Sequence, residues 1–102
     1  MDLLPEDLRN RLPPLHSQDS EMLPVVHARY SLSGTPFVWY PIEGAPDGDD
    51  YLFFGFVLGP NAFRRFSLSE LAALKSPEGH VVERDMRFLP GRLTDVIPAP
   101  NL

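Results

Sequence analysis

The stretch "YLFFGFVLG", residues 51–59, is apolar on both parities. Tyr51, Phe53 and Val57 fall on one side, and Leu52, Phe54, Phe56 and Leu58 on the other. A strand that is apolar on both faces is normally covered on both, so this stretch predicts a central strand. Gly55 in its middle predicts a bulge or a close approach of another backbone. On its N-terminal side "EGAPDGDD", residues 43–50, reads as a loop dense in turn formers and acids. On its C-terminal side "GPNA" turns the chain, and "FRRFS", residues 63–67, reads as short and extended.

Upstream, "LLPEDLRNRLPPL" predicts a short helix. Pro5 suits a first helical turn, and Glu6 and Asp7 complement the positive end of the helix dipole. Leu4, Leu8, Leu12 and Leu15 make one apolar face, and Pro13 and Pro14 end it. Residues 16–24 read as a loop. From Val25 the period becomes two: Val26, Ala28, Tyr30 and Leu32 alternate with His27, Arg29 and Ser31. A half-buried strand over 25–32 is expected, paired in a hairpin with a second over 37–42. Pro41 points to an edge or a strand end there.

Downstream, Ser67 and Glu70 match a capping box, and Phe66 and Leu71 are spaced as its hydrophobic staple. A helix from about 68 to 75 is expected, stopped by "SPEG". Residues 81–88 then read as a last strand, and "LTDVI" has room for one helical turn. Together these elements predict an α+β chain: a mostly antiparallel sheet of four to five strands with short capping helices. Length favours one domain across residues 1–102.

Composition narrows the function classes. The chain has no cysteine, which removes disulfides, a thiol nucleophile and thiolate metal sites. Its start is acidic and Pro-interrupted, unlike a signal peptide, and no apolar run is long enough to span a membrane. A cytoplasmic protein is expected. The net charge of −5 argues against direct nucleic-acid binding, which needs a basic footprint. The aromatic content leaves room for an apolar patch and a homodimer.

Candidate sites are few. In "GHVVERDMRF", residues 79–88, strand parity sets Glu83, Asp85 and Arg87 on one face with Val81. His80, Val82, Arg84, Met86 and Phe88 take the other, so His80 cannot join the acids around a metal. Paired carboxylates can bind a hard cation or share a proton; a solvated face of charge pairs is the simpler reading. "DGDD", residues 47–50, lacks the distal glutamate of a calcium loop. There is no HExxH, no nucleophile elbow, no P-loop and no dinucleotide fingerprint, so neither catalytic residues, a metal nor a cofactor is expected. The surfaces with binding potential are the acidic segment with Glu43, Asp47, Asp49 and Asp50, and the face of Glu83, Asp85 and Arg87.

The segments "LLPEDLRNRLPPL", "WYPIEG…DDYLFFGFVLG", "FSLSELAALKSPEGHVVERDMRF" and "LPGRLTDV" resemble a small bacterial family catalogued as a domain of unknown function. That family tends to occur on plasmids, integrative elements and phages. Leu4 stands where its members often carry a Thr, so the first helix lacks a side-chain cap. The resemblance implies an accessory protein of a mobile element and supplies no catalytic residues. The leading expectation is a non-enzymatic module that binds another protein through a basic surface of that partner, interfering with a host defence system. A sharper form has the acids spaced along one face to mimic a nucleic acid. The alternative is a small metal-dependent or hydrolytic enzyme using Glu83 and Asp85.

Overall fold

The computed structural model describes residues 2–97. It holds a helix α1 (Glu6–Arg11), strands β1 (Val25–Val26), β2 (Tyr30–Leu32), β3 (Val38–Asp47), β4 (Asp50–Leu58) and β5 (Ala62–Ser67), a helix α2 (Leu68–Ala73), strands β6 (Val82–Arg84) and β7 (Gly91–Arg92), and a last turn of helix α3 (Leu93–Val96). Five strands form one antiparallel sheet in the order β5-β4-β3-β2-β6, and β1 and β7 form a separate two-stranded ribbon. This is the α+β fold with an antiparallel sheet and short capping helices that the sequence predicts.

The doubly apolar strand is β4, and both its faces are covered. Tyr51, Phe53 and Val57 join Tyr30, Leu32 and Trp39 in a buried cluster under Leu4, Leu8 and Leu12 of the N-terminal segment and Leu71 of α2. Arg9 of α1 sits 5.2 Å from the centre of the Tyr51 ring, a cation–π contact at the same end. On the other face Phe54, Phe56 and Leu58 pack against Val26, Tyr40 and Ile42 under Phe88, Leu93 and Val96. Gly55 lies between the two. A Cβ there would stand 2.1 Å from the Tyr40 carbonyl oxygen, so the expected close backbone approach is real. It coincides with a register shift between Pro41 and Glu43 of β3.

Three boundaries differ from expectation, each for a physical reason. Residues 43–47 are not a loop: β3 continues through the turn formers to Asp47, because β4 offers it a continuous ladder. Pro41 lies inside the central strand. Its missing N–H is harmless there, since β2 pairs only with Val38 and Trp39 and the Pro41 carbonyl accepts from the His27 N–H. The strand expected over 25–32 is split into β1 and β2. The inward alternation survives, with Val26, Ala28, Tyr30 and Leu32 all buried, but Val26 faces the second cluster and the other three the first.

The last strand is also shorter than 81–88. After Arg84 the chain turns, with the Phe88 N–H donating to the Asp85 carbonyl. The parity argument stops at that turn. Met86 is exposed, and Phe88 joins the second cluster beside Tyr40. Arg84 stands directly opposite Tyr30 on the outer strand β6. Its charge partly offsets the effect of burial, which pushes the Tyr30 phenol well above its ordinary pKa. That phenol donates to the Leu3 carbonyl and ties the N-terminal segment over the sheet.

Candidate functional site

An open groove of about 550 Å³ lies between α2 and the β2–β3 hairpin. Its position follows from strand parity. Trp39 and Val57 are cross-strand partners, and they form the floor with Leu32 and Phe66. Phe37 stacks on Trp39 at 6.0 Å and stands on the wall, together with Leu74 after α2. Phe37 and Leu74 are each 40% exposed, a large apolar area left open to water. The Phe37 ring lies over Gly59, where a Cβ would come within 2.7 Å of it and where φ is +111°.

The rim of this groove carries Arg64, Glu70 and Lys75. Arg64 is placed by β5. It stands opposite Gly55 and therefore on the same face as Phe53 and Phe66. Among the described residues neither Arg64 nor Lys75 has an ion-pair partner. In a chain with 14 acids and 9 bases, two unpaired cations beside exposed aromatics are notable. The chemistry of the site is that of a recognition surface: apolar floor, aromatic wall and positive rim. Trp39 is buried at the floor, and Lys75 follows α2, which ends at Ala73 rather than at 75 as expected. The signal the sequence held was "FRRF", two arginines between two phenylalanines in an acidic chain.

The residues expected to bind are scattered. Glu43 is only 2% exposed. Its carboxylate accepts from the backbone N–H of His16 at 2.8 Å and of Gln18 at 2.7 Å. The Gln18 amide in turn donates to the Ile42 carbonyl and accepts from the Val25 N–H. The Glu43 carboxyl group thus gathers the 13–21 segment around itself, and His16 takes a left-handed φ of +72° where its N–H points inward. The sequence predicts Glu43 on an exposed acidic segment; its carboxylate instead lies beneath the surface, spent on the chain's own backbone.

Asp50 is also engaged. One oxygen accepts from the N–H of Tyr51 at 2.8 Å and of Ser69 at 3.1 Å, and the other from the Ser69 hydroxyl. Hydrogen bonding, led by the Ser69 hydroxyl, holds its pKa below the ordinary carboxylate value. Asp85 accepts from the Arg87 N–H at 2.9 Å and lies 3.9 Å from the Arg29 guanidinium. That leaves Asp47 and Asp49 exposed at the β3–β4 turn, and Glu83 and Arg87 exposed near β6. Glu83 is in the row Ser31–Val38–Leu58, at the far end of β4 from Asp50. About 27 Å of strand separates those ends. The acids therefore form no single row, and the nucleic-acid-mimic form of the expectation loses its structural basis.

Among the described residues no group of three or more His, Asp or Glu side chains is arranged to hold a metal ion. His80 is exposed beyond β6, with its backbone N–H on the Ser76 hydroxyl. His16 meets Asp19 at 3.1 Å through Nδ1, and the His27 backbone N–H donates to the Pro41 carbonyl. No described helix is long and apolar enough to cross a membrane. No curated protein and no solved structure matches the chain. A family does: across residues 3–96, nearly all of the fold just described, the chain belongs to the family described as "Protein of unknown function (DUF2958)".

Proposed function

We propose that this domain binds another protein, taking an apolar, acid-bearing segment of the partner into the groove between α2 and the β2–β3 hairpin. One observation carries the reading. The exposed Phe37 and Leu74 flank a floor of Trp39 and Val57, with the unpaired cations Arg64 and Lys75 on the rim. Burying Phe37 and Leu74 releases water, while the rim charges select the sign of the partner. The setting is the one the family resemblance implies: a cytoplasmic bacterial accessory protein of a mobile element, acting on a host protein such as a component of a defence system. A basic surface on the same partner would meet Asp47 and Asp49 at the β3–β4 turn as a secondary contact. The enzymatic alternative has less support, because Asp85 is already held by Arg29 and the Arg87 N–H, and Glu83 stands in open solvent.

Affinity capture from a bacterial host lysate separates these readings. The wild type, a Leu74→Asp/Lys75→Glu variant and an Asp47→Asn/Asp49→Asn variant are compared side by side. The groove reading expects a captured protein lost in the first variant and kept in the second. The reverse pattern would hand recognition to the acidic turn, and identical capture by all three would end the groove reading.

A further inference from the structure

The groove is continuous with the free edge of the sheet. β5 is the outermost strand, and on its other side nothing among the described residues pairs with it. Every second residue of an antiparallel edge strand points its N–H and C=O outward. None of those outward groups on residues 62–67 meets another backbone group among the described residues. The same strand supplies Arg64 and Phe66 to the groove.

We infer that the partner segment enters as a sixth strand along β5, and that β5 reads it through a three-residue pattern: an apolar side chain opposite Phe63 and two consecutive acids opposite Arg64 and Arg65. This rests on the groove reading above and adds its geometry. Directly opposed residues of an antiparallel pair share a face. Phe63 and Arg65 lie on the face of Phe54 and Phe56, while Arg64 and Phe66 lie on the groove face. An incoming strand thus meets Phe63 with an apolar side chain, Arg64 with an acid on the groove face and Arg65 with an acid on the opposite face, while Phe66 is already buried against Phe53. Phe63 is 46% exposed, so its contact is vacant. Arg65 has His16 at 3.5 Å and, among the described residues, no acid in an ion pair with it.

Charge selects this occupant over a second copy of the chain. Two β5 strands paired about their middle set Arg64 against Arg64, or Arg65 against Arg65. Like charges directly opposed destabilise such a pair. A segment with two consecutive acids relieves that repulsion and gains ladder hydrogen bonds as well.

Trp39 is the only tryptophan, so its fluorescence reports occupation of the groove. The probes are capped seven-residue peptides centred on Ile-Glu-Asp-Val, on Ile-Lys-Lys-Val, and on the acidic core with alternate backbone nitrogens methylated. The acidic peptide is expected to shift Trp39 emission and to slow amide exchange in residues 62–67. The lysine peptide should do neither. Methylation, which removes the ladder donors without changing charge, should weaken binding about tenfold or more. An Arg64→Glu/Arg65→Glu variant should prefer the lysine peptide, and that inverted preference itself shows that the variant is folded. Strand addition is overturned, with the groove reading intact, if the methylated peptide binds as well as its parent while Trp39 responds. Both fall if no peptide moves Trp39 or slows exchange in residues 62–67, or if an oligothymidine of similar length moves Trp39 as strongly as the acidic peptide.

Discussion

At the scale of single residues, two positions carry more than their size suggests. Glu43 is a buried carboxylate whose partners are backbone N–H groups, so its charge is satisfied only while the 13–21 segment is wrapped around it. Glu43→Gln keeps the shape but turns an amide donor towards an N–H. It is expected to cost about 2–3 kcal/mol in urea unfolding, and to speed proteolysis within residues 15–21. Gly55 is required by the Tyr40 carbonyl pressed against it. Gly55→Ala is expected to lower stability by about 1–3 kcal/mol, with the m-value unchanged. The sequence announced Gly55, because a glycine amid large aromatics asks for a reason. It did not announce Glu43, whose neighbours Gly44, Pro46 and Asp47 all suggested a solvated loop. Whether a carboxylate is buried depends on which distant backbone comes to meet it.

At the scale of elements, the α2 cap shows a local motif completed from elsewhere. The Ser67 hydroxyl accepts from the Glu70 N–H at 3.1 Å, as the capping box requires. The next free donor, the Ser69 N–H, is taken by Asp50 from β4. Ser67→Ala should therefore cost about 1 kcal/mol in chemical denaturation, and Glu70→Ala almost nothing. Ser69→Ala should let the Asp50 carboxyl titrate closer to its ordinary value, seen as a rise in its pKa by NMR. The capping box, the α1 leucines and the helical turn at "LTDVI" were legible because helix signals are local. Strand ends were not: β3 outran its turn residues and β6 fell short of Asp85, since a strand ends where its partner does.

At the scale of the whole molecule, acid should loosen the structure in two stages. Burial, with help from the Arg11 charge, lowers the His27 pKa below its ordinary 6.5. A histidine depressed in the folded state favours folding fully above the unfolded value and loses that contribution as pH falls through the folded one. Asp50 behaves in the same sense around a lower window, beneath 3.8. Urea midpoints followed from pH 7 to 3 should therefore fall first below about pH 6.5 and again below 3.8, with only the first step removed by His27→Gln. The sequence by itself determined the class of fold, the doubly covered strand β4, the glycine at the bulge, the capped start of α2 and the absence of any cofactor motif, because each of these is written in residue type and short spacing. Only the tertiary structure decided that Glu43 is interior, that the remaining acids lie at opposite ends of the sheet, and that Phe37, Trp39, Arg64 and Lys75 share one groove beside an open edge. Those facts rest on strand order and register, which bring residues far apart in the chain to the same face, and no local pattern encodes them.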